Sequence, residues 1–135
     1  MTEKLKVHSP YDGHLIKEID VDDEASIEEA LATAHRLEQK KPLPTPERIA
    51  ILNKTADLVE AKAEEFARQS AEEGGKPLID SRIELARAVQ GIREAANSIG
   101  QLTGHEIPMN LTTSSMNRMA FTTREPVGVV AAVSA

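Results

Sequence analysis

Arg124-Glu125-Pro126-Val127-Gly128-Val129-Val130-Ala131-Ala132-Val133-Ser134-Ala135 closes the 135-residue sequence. Val127 to Val133 is nearly continuous apolar sequence, the signature of a strand covered on both faces in a parallel sheet. Such a strand needs neighbours, and the sequence stops two residues after it. The expectation is an α/β fold seen in part: the first core strand is present, and its partners belong to a longer chain.

Working back from that strand, Met119, Phe121 and Thr123 alternate with Ala120, Thr122 and Arg124, which suits a partly exposed strand. Thr112-Thr113-Ser114-Ser115 reads as a polar loop. Before Gly104 the period changes to that of a helix. Leu85, Val89, Ile92, Ala96 and Ile99 share one face of a helix expected from about Leu78 to Leu102. Ile49, Leu52, Ala56, Val59, Ala63 and Phe66 mark another, running from Thr45 as N-cap and Pro46 at the first helical position to about Glu73. Gly74-Gly75 ends it, because a glycine past the last turn takes the left-handed conformation. Ile27, Ala30, Leu31, Ala34 and Leu37 form the stripe of a first helix, capped by Asp22 and Asp23 and stopped by Lys40-Lys41-Pro42-Leu43-Pro44. Ahead of it, Lys4 to Val21 reads as a β-hairpin turning at Ser9-Pro10-Tyr11-Asp12-Gly13. The predicted order is therefore an N-terminal hairpin, three amphipathic helices and a strand pair, a helix-rich α/β arrangement.

Composition narrows the function. The formal charge is −6 with no Lys/Arg cluster, which argues against a phosphate-backbone partner. Aromatic residues make up 2%, too few for a base-stacking platform. The charged start, Met1-Thr2-Glu3-Lys4-Leu5-Lys6, is followed by no apolar signal region. No apolar run nears the roughly 18 residues of a membrane span, so a cytoplasmic protein is expected. There is no cysteine, which removes disulfides, thiolate metal sites and a cysteine nucleophile together.

Few residues suggest chemistry. Gly74-Gly75-Lys76 lacks the earlier glycine and the following Ser or Thr of a phosphate loop: Ser70 and Pro77 stand there. No Gly-x-Gly-x-x-Gly occurs. His8, His14, His35 and His105 are scattered without metal-ligand spacing, and His105-Glu106 reads as a solvated loop pair. Ser114 and Ser115 lack a nucleophile-elbow context. Glu28-Glu29, Glu64-Glu65 and Glu72-Glu73 fall on helices beside basic residues, as solvated faces do. No catalytic residue and no metal site are expected within this stretch. Two readings of the residues stand: the front of a larger enzyme, or a stand-alone helical protein-interaction module with the last strand as a tail.

Several strings, taken in order, resemble the amino-terminal region of the aldehyde dehydrogenase superfamily over essentially all of residues 1–135. Val7-His8-Ser9-Pro10-Tyr11-Asp12-Gly13-His14-Leu15-Ile16 is similar to that family's leading hairpin, with Ser9 in place of an asparagine. Pro46-Glu47-Arg48-Ile49-Ala50-Ile51-Leu52 resembles a family helix start, and Glu73-Gly74-Gly75-Lys76-Pro77-Leu78 its Glu-Thr-Gly-Lys-Pro string. Arg124 to Ala135 resembles the first strand of the family's Rossmann-like sheet, which leads into a segment carrying an oxyanion-holding asparagine.

The resemblance implies oxidation of an aldehyde with NAD or NADP through a cysteine thiohemiacetal and thioester, which needs an activated thiolate, oxyanion donors and a carboxylate base. It places Val133 and Ser134 at a strand end near the cofactor, and sets Ala135 where proline is more usual. It offers residues 118–125 as an oligomerisation strand, with an ordinary edge strand as the alternative, and implies that the complete enzyme is a dimer or tetramer. The family's cysteine, asparagine and glutamate would lie beyond Ala135, so the 135 residues alone are expected to be inactive.

Overall fold

A computed structural model describes residues 4–133. Strands β1 (Lys4–His8) and β2 (Leu15–Asp20) pair antiparallel, with Leu5 opposite Ile19 and Val7 opposite Lys17. The Ser9–Gly13 turn closes this hairpin. Gly13 takes φ 78°, its N–H donates to the Ser9 carbonyl at 2.9 Å, and the Ser9 N–H donates to the His14 carbonyl at 2.9 Å.

Four helices follow where the sequence pattern predicts three. Helix α1 (Glu24–Glu38) starts at Asp23, whose carboxylate accepts the Ser26 N–H at 2.9 Å. That bond holds the Asp23 carboxyl below its usual range. Helix α2 (Thr45–Ala61) has Pro44 as its N-cap instead of Thr45, because the Arg48 N–H already donates to the Pro44 carbonyl at 3.1 Å. Thr45 is therefore the first helical residue, and its hydroxyl accepts from the Arg48 guanidinium at 3.1 Å. Helix α3 (Ala63–Gly74) begins after an interruption at Lys62, where φ −110° and ψ 14° leave the helical well. The Lys62 N–H turns back to the Val59 carbonyl, and its own carbonyl accepts from Phe66 at 3.0 Å. Helix α4 (Leu78–Ser98) tightens into a 3-10 turn over Ile99–Gln101, which replaces the last helical turn expected before Leu102.

The core lies where α2 and α3 pack on α4. Ala56, Ala67, Val89 and Ala96 are buried there, small residues that let the helices approach closely. The stripe Ile49, Leu52, Ala56, Val59, Ala63, Phe66 is buried or half-buried throughout, on both sides of the break at Lys62. Interrupting the helix keeps both pieces against α4. Helix α1 differs: of its stripe only Ala34 is half-buried, while Ile27, Leu31 and Leu37 are exposed.

The hairpin attaches through its turn. Pro10 rests against Gly75, the left-handed residue (φ 62°) that ends α3. His14 reaches Glu72 on the last turn of that helix.

After α4 the chain forms a short arm. Strand β3 (Glu106–Ile107) pairs antiparallel with β4 (Ala120–Phe121), and the Thr122 N–H extends the ladder to the His105 carbonyl at 2.9 Å. Glu106 is thus a strand residue rather than a loop residue, and the strand expected over Met119–Thr123 shortens to two residues. The 3-10 turn Thr113–Ser115 and the left-handed Asn110 and Asn117 shape the connection between the two strands. Asn117 donates its N–H to Asn110 Oδ1 at 2.7 Å. Gly104 passes against the Thr122 carbonyl so closely that no side chain would fit.

The last expectation is not met in this structure. Val127–Val133 carries no strand pairing, and the described residues contain only the two antiparallel pairs. A strand exists by its ladder, and no neighbouring strand lies beside this segment among them.

Candidate functional site

The segment with the most distinctive sequence runs past the C-terminus of α1. Pro126, Gly128, Val129 and Val130 form a cleft of about 380 Å³ with Ala34, Leu37 and Pro42. On its other side Arg124, Glu125 and Pro126 face Arg48, Pro42 and Leu102 across a second cleft of about 390 Å³. Pro126 and Pro42 belong to both. Both are prolines, so neither brings a backbone N–H donor to these clefts.

The valines of this segment divide by contact. Val129, beside α1, is 44% exposed, whereas Val127 and Val133 are 90% and 97% exposed. Val133, the described member of the expected cofactor pair, therefore touches almost nothing. Ser134 lies outside the described residues, as does Ala135.

A third cleft, about 480 Å³, opens along α4 between Arg82 and Arg93. Two guanidiniums on one groove suggest an anion site, but both are already engaged. Arg82 grips the Glu64 carboxylate with two nitrogens at 2.7 and 2.8 Å. Arg93 donates to Glu60 at 2.7 Å and to Asp57 at 3.2 Å. The Arg82 bonds hold the Glu64 carboxyl down at about 2, with Arg68 adding its charge at 2.8 Å. These pairs join α2 and α3 to α4, and each guanidinium is already paired with carboxylates of its own chain. Sequence reasoning placed Glu64 on a solvated face, and the helix packing recruits it into a clamp across 18 residues.

The motif residues fall as follows. Gly75 is the helix stop, and Lys76 is paired with Glu84, which leaves no phosphate cradle in Gly74-Gly75-Lys76. Ser115 is spent on the loop, its hydroxyl accepting the Thr112 N–H at 3.0 Å. His14, one of the four histidines without metal-ligand spacing in the sequence, contacts two carboxylates, Asp12 at 2.6 Å and Glu72 at 3.2 Å. Among the described residues no group of three or more acidic or histidine side chains is arranged to hold a metal, and no helix is long and apolar enough to cross a membrane.

Comparison with known proteins gives this arrangement its context. The family model described as the aldehyde dehydrogenase family matches residues 1–135. The 3-sulfolactaldehyde dehydrogenase of Priestia aryabhattai is 36% identical over 132 residues, a stretch covering 98% of this chain and 28% of that protein. The lactaldehyde dehydrogenase of Methanocaldococcus jannaschii is 33% identical over 133 residues, covering 98% and 27%.

Among solved structures, the NADP-dependent glyceraldehyde-3-phosphate dehydrogenase of Bacillus halodurans, complexed with NADP, superposes with a TM-score of 0.86 at 24% identity, covering 93% of this chain and 27% of that one. The Methanocaldococcus jannaschii glyceraldehyde-3-phosphate dehydrogenase complexed with NADP gives 0.75 at 29% identity, covering 82% and 24%. The chain thus spans about a quarter of the length of its relatives. With the whole sequence matched by the family model, and hairpin and helices in the family's order, the chain belongs to the aldehyde dehydrogenase family.

Proposed function

We propose that these 135 residues serve an oxidoreductase that converts an aldehyde to a carboxylic acid or acyl derivative with NAD or NADP, and that they form its scaffold rather than its reaction centre. The observation that carries this reading is the family match over every residue of a chain that has no cysteine. The family chemistry forms a thiohemiacetal on a cysteine and passes hydride to a nicotinamide, so the nucleophile must come from polypeptide outside these residues.

Within this reading Val127–Val133 becomes the first strand of a parallel sheet once a neighbouring strand supplies its ladder, and Val133 and Ser134 stand at its end near the cofactor. The described residues offer no phosphate cradle of their own, so holding the phosphates of the dinucleotide falls to other segments. Residues 118–125 form an oligomerisation strand: β4 is two residues long, and Phe121 on it and Met119 just before it are exposed. The substrate class is a small aldehyde with polar or anionic substituents, in line with the lactaldehyde and 3-sulfolactaldehyde named for two relatives.

The test compares two proteins: the 135-residue chain and the product of the complete coding sequence. Each is incubated with lactaldehyde and NAD or NADP while reduced nicotinamide is followed by absorbance. Turnover is expected from the complete product only. An active 135-residue chain would overturn the scaffold role, and a complete product inactive on every aldehyde tried would overturn the proposed reaction.

A further inference from the structure

The turn of the β1–β2 hairpin and the end of α3 meet through His14, a contact that the proposed enzymatic role does not use. The imidazole lies between two carboxylates, with Nδ1 at 2.6 Å from Asp12 Oδ1 and Nε2 at 3.2 Å from Glu72 Oε1. A neutral imidazole has one N–H and one lone pair, so whichever tautomer it adopts, one ring nitrogen would face a carboxylate lone pair to lone pair. Only the imidazolium donates from both nitrogens. The geometry therefore selects the charged ring.

The surroundings make this contact count. Neither hairpin strand packs extensively on a helix. Beyond His14 the turn is held by Pro10 against Gly75, where an added methyl group would come within 2.6 Å of the proline ring. The other charged or titratable groups nearby are committed or turned away. His8 Nδ1 bonds the Gly13 carbonyl at 3.0 Å. On the helix side, Glu73 accepts from Gln69 at 2.8 Å, and Lys76 is paired with Glu84. Tyr11 points to solvent. Asp12 and Glu72 are thus the two charges that the ring faces.

We propose that His14, clasped between Asp12 and Glu72, is a proton-operated latch that seats the hairpin turn on the C-terminus of α3 and releases it when the ring loses its proton. The direction of the titrations agrees. Hydrogen bonds donated to Asp12, and next to Glu72, raise the His14 ring above its ordinary value, while the His14 bond lowers Asp12. A raised histidine contributes docking that is complete below its ordinary value of about 6.5 and is lost as pH rises through the raised value. The lowered Asp12 contributes above the usual carboxylate range and fades as pH falls through its lowered value. The latch is closed between those limits and opens on the alkaline side.

An NMR titration of the full 135-residue chain tests this. The His14 ring resonance is expected to titrate above the free-histidine value of about 6.5, with the Gly75 amide shifting at the same midpoint and the Pro10–Gly75 cross-peak lost above it. Glu72→Gln and Asp12→Asn, both surface changes, should each move the midpoint down, and His14→Gln should abolish the Gly75 titration in that range. A midpoint at or below the ordinary value, a midpoint unmoved by Glu72→Gln, or a Gly75 amide indifferent to the ring would each overturn the latch. All of these readouts are independent of aldehyde oxidation.

Discussion

At the scale of single residues, glycines of one type meet opposite fates here. Gly75 sits at φ 62° with the Pro10 ring where a Cβ would go. Gly75→Ala must both hold an L-residue in the left-handed region and displace the hairpin turn, a loss of about 1–3 kcal/mol expected in urea unfolding. Gly91, inside α4, has nothing within 4 Å of its would-be Cβ. There, Gly91→Ala should raise stability by roughly 0.5–1 kcal/mol in the same assay, since the helix interior favours alanine. Ser81 is a third informative position: it is fully buried, and its hydroxyl has no partner. Ser81→Ala removes an unpaired polar atom at nearly constant shape, so the urea midpoint should stay level or rise, whereas a clear fall would mean that the hydroxyl has a partner in solution.

Between elements, the packing of α3 on α4 rests on small residues and is ringed by the Arg82–Glu64–Arg68 cluster. Because Glu64 is held down at about 2, its contribution is present above the ordinary carboxylate range and is lost as pH falls from about 4.5 toward 2. In an acid titration followed by far-UV circular dichroism, the native chain should lose helix progressively through that window. Glu64→Gln should be less stable at neutral pH and respond less there, and identical acid curves for the two chains would contradict the clamp. The stripes of α2 and α4 were legible from periodicity because burial against a neighbour selects every third or fourth residue. The break at Lys62 was not, since Glu60-Ala61-Lys62-Ala63 contains no glycine or proline. It is imposed by the need of both halves to face α4, which no local window contains.

For the molecule as a whole, surface area is the telling quantity. The chain presents 11303 Å², whereas a compact monomer of 14.7 kDa presents about 6,900 Å². The difference lies in the uncovered stripe of α1, the arm around β3 and β4, and the exposed valines from Val127 onward. An uncharged apolar segment without ladder partners seeks others. Sedimentation velocity should therefore reveal concentration-dependent association of the 135-residue chain, reduced by Val127→Lys and Val130→Lys. Monomeric behaviour at high concentration would mean that the segment is covered within its own chain.

Local chemistry determined the hairpin, the helix stripes, the cap at Asp23 and the stop at Gly75, because turn geometry, periodicity and backbone sterics act over a few residues. It also carried the family resemblance, through short strings in a fixed order. Only the tertiary structure decided that Glu64 clamps α4, that His14 finds Glu72 across 58 residues, and that the two-residue strand β4 pairs with β3. The fate of Val127–Val133 belongs to the same class: its sequence specifies a buried strand, but a strand is completed by hydrogen bonds to neighbours, and these depend on what packs beside it.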